Sequence, residues 1–115
     1  MADTLQIARQ LLAGALSDGG ATVSPAGDSL PDYGFMVGGL VPEWSAPADI
    51  LTIRRVRDFV NTYATRQWLG SWVEGDRIVF DVSEWHADRL SALVAARARG
   101  EREVYDIARG ESIPA

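Results

Sequence analysis

Apolar residues recur at helical spacing over residues 4 to 17, where Leu5, Ala8, Leu11, Leu12, Ala15 and Leu16 share one face. Asp3 precedes them as a cap with Gln6 as its weaker capping-box partner, and Gly19 and Gly20 follow as a stop. Gly14 inside the run either weakens the helical pattern or marks a close packing contact. Ala21 to Ser24 and Tyr33 to Leu40 read as strands joined by PAGDSLPD, which is turn chemistry. Val41 to Leu51 holds two prolines and no steady period, so it reads as a loop. Trp44 in that loop is either a core plug or an anchor for a partner, and packing inward is the commoner fate of a tryptophan.

A second helix is expected over residues 53 to 65, capped by Thr52, with Ile53, Val56, Phe59, Val60 and Tyr63 as its buried stripe. Next comes a two-residue hairpin with Gly75 and Asp76 at its turn. It pairs Glu74 with Arg77, Val73 with Ile78, Trp72 with Val79, Ser71 with Phe80, Gly70 with Asp81 and Leu69 with Val82. Side chains alternate along a strand, so Leu69, Ser71, Val73, Ile78, Phe80 and Val82 form the expected core face. The opposite face receives Trp68, Gly70, Trp72, Val79 and Asp81, and it is too aromatic to meet only water.

Asp88 caps a third helix over residues 89 to 99, with Leu90, Leu93, Val94 and Ala98 expected inward and Gly100 closing it. Arg102 to Ala108 alternates as a last strand, and the tail RGESIPA is expected to fray. The order strand, helix, strand, strand, helix, strand over residues 33 to 109 predicts an α+β, ferredoxin-like βαββαβ sandwich with an additional N-terminal helix. Two helices cover one face of such a sheet. The tryptophan face is then left to the N-terminal helix or to a second subunit.

At 115 residues the chain is long enough for one domain, here read as residues 1–115, with a core that needs no staples. It contains no cysteine, which removes disulfides, thiolate catalysis and sulfur-ligated zinc. The formal net charge of −5 opposes a general phosphate-backbone binder. All eleven basic residues are arginines, scattered rather than clustered, as codon bias in a high-GC genome produces. The acidic, polar-interrupted N-terminus does not read as an export signal, and no run approaches the roughly 20 apolar residues of a membrane span. A cytoplasmic protein is therefore expected. YGFMVGG fits neither glycine-rich phosphate motif, so no cofactor is expected.

The densest ionisable cluster is Asp81, Glu84, His86 and Asp88 in DVSEWHAD. A carboxylate at a strand end beside the only histidine suggests a metal-assisted hydrolase, yet one histidine and loosely spaced carboxylates match no ligand motif. The simpler reading has Asp81 satisfying backbone donors or meeting an arginine, assigns Ser83 and Asp88 to caps of the turn and helix, and leaves Glu84 and His86 on the surface. A serine nucleophile would have a single possible base and no elbow motif. A third reading takes Trp68, Trp72 and Tyr105 as a platform for single-stranded nucleic acid, with Arg66, Arg77 and Arg102 tracking the backbone. Asp81 on the same face and Glu103 nearby oppose phosphate, so a protein interface ranks above it.

The stretch LGSWVEGDRIVFDVSEW, followed by DRLSALVAARARGEREVYDIARGESI, resembles small uncharacterised proteins of actinobacteria and their phages. The shared outline is a Gly-x-Trp strand, a strand ending Asp-Val, and an Ala/Arg-rich helix closing on Arg-Gly-Glu. It covers the last half of the chain and, more weakly, YGFMVGGL. The resemblance implies a compact fold and names no activity. The expectation is a non-enzymatic interaction module, possessed by a phage or mobile element and acting on a host protein or on itself as a dimer, with Trp44, Trp68, Trp72 and Tyr105 as the contact residues.

Overall fold

The computed structural model describes residues 3–28, 30–63 and 68–115. Three helices pack on an antiparallel seven-stranded sheet: α1 (Thr4–Asp18), β1 (Gly20–Val23), β2 (Phe35–Val37), β3 (Trp44–Pro47), α2 (Ile53–Tyr63), β4 (Trp68–Glu74), β5 (Arg77–His86), α3 (Arg89–Ala98), β6 (Glu103–Asp106) and β7 (Glu111–Pro114). The order across the sheet is β1-β4-β5-β2-β6-β7, with β3 also paired to β5.

The fold is α+β, as expected, but the sheet differs in strand order from a four-stranded ferredoxin-like one, because β1, β3 and β7 are built into it. Two of these strands lie where the sequence pattern predicts irregular chain. β3 lies inside the proline-containing loop, and its backbone pairs with β5 from Trp44 opposite Phe80 to Pro47 opposite Arg77. Pro47 is tolerated because this short strand has β5 on one side only. The tail is likewise β7, held against β6 from Glu111 opposite Asp106 to Pro114 opposite Glu103. The tail finds a partner because β6 would otherwise be an edge.

The β4–β5 hairpin has the register that its turn dictates, from Glu74 opposite Arg77 to Leu69 opposite Val82, and it continues to Trp68 opposite Ser83. Gly75, with φ of 63°, takes the left-handed conformation that a two-residue hairpin turn requires. β5 is the spine of the molecule: β4 runs along one side of it, and β3 followed by β2 along the other. Side-chain alternation divides β5 in two. Ile78, Phe80, Val82, Glu84 and His86 point to the helices, and Val79, Asp81, Ser83 and Trp85 point away.

Two cores lie on the helix side. The larger joins Ile7, Leu11 and Ala15 of α1 with Val56, Phe59 and Val60 of α2, over Leu69, Ile78, Phe80 and Val82. The smaller places Ala92 and Ala96 of α3 over Val37, Val104 and Ile113. The N-terminal helix thus packs with α2 and does not cover the tryptophan face. Asp3 caps α1 by accepting from the Leu5 N–H at 3.1 Å, and Gly19 ends it in the left-handed conformation. Buried Ser71 Oγ donates to the Leu11 carbonyl at 2.7 Å, tying α1 to β4.

Five expected inward positions, Val73, Leu90, Val94, Ala98 and Leu16, point out instead. Val73 is exposed near the turn end of the hairpin. On α3, Leu90 is 73% exposed and Val94 59%, while Ala92 and Ala96 are buried. The alanine face lets the helix approach the sheet closely, and the bulky pair is left on the far side. Leu16 of α1 is exposed as well, with Ile7 in the core in its place.

Candidate functional site

The four expected contact residues do not form one surface. Trp44, on β3, is a half-buried member of an aromatic stack, its ring 5.1 Å from Phe80 and 6.2 Å from Phe59. The Arg55 guanidinium lies over the Trp44 ring, 5.2 Å from its centroid, in a cation–π contact. Arg55, Asp58, Thr62 and Tyr63 of α2 join Trp44 and Phe59 around a shallow groove of about 360 Å³. Trp68 is on the side of the sheet away from the helices but is only 8% exposed, so it offers little surface. Trp72, on the same side opposite Val79, is half-buried. Tyr105, on β6, is 41% exposed.

Register shows what accompanies Tyr105. It stands opposite Met36, and Met36 stands opposite Trp85, so the three form a row across β6, β2 and β5 on the helix-free side. Tyr33 extends the row: its ring meets Trp85 edge-on at 5.3 Å and 86°. The Trp85 indole N–H donates to the Tyr33 carbonyl at 2.9 Å. Gly34 makes this seat possible, because a Cβ there would collide with the Trp85 indole nitrogen and stand 2.7 Å from the His86 carbonyl. Tyr33 is itself 53% exposed. Among the described residues, no helix packs on this side.

Trp85 and Tyr33 are the residues that the sequence pattern leaves out. Trp85 sits inside the DVSEWHAD cluster, where ionisable neighbours draw the reading toward chemistry. Carrying the hairpin alternation two steps past Asp81, through Ser83 to Trp85, places it on the tryptophan side.

The same alternation separates the ionisable cluster. Asp81 points away from the helices, Glu84 and His86 point toward them, and Asp88 caps α3 by accepting from Ser91 N at 2.9 Å and Ser91 Oγ at 2.8 Å. Glu84 accepts from His86 Nε2 at 2.7 Å and is paired with Arg99. Burial acts to raise the Glu84 pKa, but the His86 hydrogen bond and the Arg99 contact outweigh it and hold the carboxyl below its ordinary range. Arg99 Nη1 also donates to the Gly38 carbonyl at 3.2 Å, so this group fastens the end of α3 to β2. The bonds from Ser91 lower the Asp88 pKa. Burial pushes Asp81 up to about 6, with the charges of Glu43 and Glu101 adding to the effect. Among the described residues, no three histidine, aspartate or glutamate side chains are grouped to hold a metal ion.

The nucleic-acid reading fares little better on geometry. Trp68 lacks an open ring face, Arg77 donates to Ser45 Oγ at 3.1 Å, and Glu103 and Asp81 occupy the side that a phosphate backbone would approach. Arg66 lies outside the described residues. Among the described residues, no helix is long and apolar enough to cross a membrane. No family model, curated protein or solved structure matches this chain.

Proposed function

We propose that this chain is a non-enzymatic protein-interaction module, and that its contact surface is the helix-free side of the sheet around Tyr33, Met36, Trp85 and Tyr105. The observation that carries this reading is the placement of two exposed tyrosines on a sheet face where, among the described residues, no helix packs: Tyr33 lies against Trp85, and Tyr105 lies across Met36 from it. Tyrosine and tryptophan supply large contact areas at low entropic cost, which makes them the common anchors of interfaces. The proposal extends to a ferredoxin-like core in β4-β5-β2-β6 with α2 and α3, enlarged by β1, β3 and β7. The adjacency of those four strands in the sheet supports it. It extends also to a cytoplasmic protein of an actinobacterium or its phage that modulates a host protein, on the resemblance of the last half of the chain.

The test compares the parent with a Tyr33→Ser/Tyr105→Ser variant and with Leu90→Ser, which alters an exposed apolar residue on the opposite side. Each is used as bait in an actinobacterial lysate and measured by light scattering over a range of concentrations. A partner, or self-association, that survives Leu90→Ser and is lost in the tyrosine variant supports the reading. Binding and mass that are unchanged in the tyrosine variant overturn it.

A further inference from the structure

β5 belongs to two half-sheets at once, and the chain along its second edge is interrupted where they meet. Val37 is opposite Glu84 and Trp44 is opposite Phe80, so the six residues 38–43 span only Asp81, Val82 and Ser83. This is an enlarged β-bulge, and Gly39 within it takes a φ of 82° that an L side chain rarely adopts.

Asp81 is the buried group at this joint. Its Oδ1 lies 2.5 Å from the position of a Cβ on Gly70, and its Oδ2 lies 2.8 Å from that of a Cβ on Gly38. The carboxylate therefore occupies room that two glycines leave. Glu101, from the segment after α3, brings Oε1 to 2.9 Å from the same point beside Gly38, so two carboxylates converge there. Glu43, at the end of the bulge, is the third acidic group acting on Asp81. Along its own strand, only the Ser83 hydroxyl donates to Asp81, at 3.5 Å. β4 contributes Gly70 and the bulge contributes Gly38, and neither carries a side-chain charge. Arg99, the cation of the joint, donates to the Gly38 carbonyl and pairs with Glu84 on the other side of the strand.

We propose that the bulge is a pH-responsive hinge between the two half-sheets. With a proton on Asp81, the bulge closes over Asp81 and Glu101; with Asp81, Glu101 and Glu43 all ionised, their repulsion opens residues 38–43 and loosens β2 from β5. The pKa of about 6 in the closed state puts the transition in the range between mildly acidic and neutral solution. The sign follows from linkage: the closed form binds the proton more tightly, so raising the pH favours the open form until Asp81 has ionised. This inference does not depend on any partner.

The measurement is amide hydrogen exchange of the bulge by NMR, corrected for the intrinsic pH dependence, alongside titration of the Gly38, Gly39 and Gly70 amide resonances. Between about pH 5 and about pH 7.5 the opening constant of the bulge is expected to rise about tenfold, with the three resonances moving together. Asp81→Asn should hold the low-pH protection at every pH, and Glu101→Gln, which also serves if the first variant does not fold, should lower the midpoint. His86→Gln should leave the transition in place, because His86 belongs to the pair on the opposite side of β5. The proposal is overturned if bulge protection does not change with pH, if Glu101→Gln leaves the midpoint where it was, or if His86→Gln abolishes the transition.

Discussion

At the scale of single residues, Asp81 carries the largest electrostatic consequence. Its folded-state pKa, raised from 3.8 to about 6, means that the native state holds the proton more tightly than the unfolded chain. The stabilising contribution of this group is therefore complete below the ordinary aspartate range and is lost as the pH rises through about 6. Asp81→Asn keeps the shape and removes the charge. At about pH 7.5 it should raise unfolding stability by on the order of 2–3 kcal/mol, and at about pH 3.5 it should change little. Urea denaturation at the two pH values checks this, and an equal effect at both would contradict it. The sequence shows Asp81 pairing with Gly70 and facing the tryptophan side. It does not show that Gly38, Glu101 and Glu43 meet it there, since those residues arrive from a bulge and from beyond a helix.

At the scale of elements, periodicity locates the helices well and their inward faces less well. α2 buries its expected stripe, because its apolar residues form one narrow row against the larger core. α3 does not. Its apolar and alanine positions both recur at helical spacing, and the sheet takes the smaller side chains because they allow the closer approach. Gly14 on α1 shows the same preference for close contact: a Cβ there would stand 2.5 Å from the Ala21 Cβ. Gly14→Ala gains up to about 1 kcal/mol of helix propensity but forces α1 off β1, so a net loss of roughly 1–2 kcal/mol is expected. A thermal melt that rises on this substitution would show that α1 yields without cost. The short strands β3 and β7 are the elements that local pattern misses. Each is four residues long and has a proline, and each is a strand only because a neighbouring strand offers unpaired backbone groups.

At the scale of the whole molecule, β5 joins two cores of unequal content. One is built around Phe80 with leucine, isoleucine and valine from four elements, α1, α2, β4 and β5. The other rests on two alanines, two valines and one isoleucine. Apolar area buried sets local stability to a first approximation, so the half formed by β2, α3, β6 and β7 should open first. Native-state hydrogen exchange in rising denaturant should report lower opening free energies for amides of α3 and β6 than for those of β4 and α1. Merging of all these amides at one value would indicate a single cooperative unit.

The sequence by itself determined the three helices and their caps, the hairpin with its register, and the α+β class. All of these are written in spacings of a few residues, where turn chemistry and side-chain alternation act directly. The seven-stranded order, the bulge that interrupts the second edge of β5, and the row of Tyr33, Trp85, Met36 and Tyr105 were decided by tertiary structure alone. Each depends on residues far apart in the chain, and no local pattern specifies which strand will lie beside which. The tertiary structure also moved the candidate surface. Trp68 and Trp44 proved to be packed, whereas exposed Tyr33 packs on Trp85 and exposed Tyr105 lies across Met36 from it, because the choice between covered and open depends on where the chain returns and not on the residue itself.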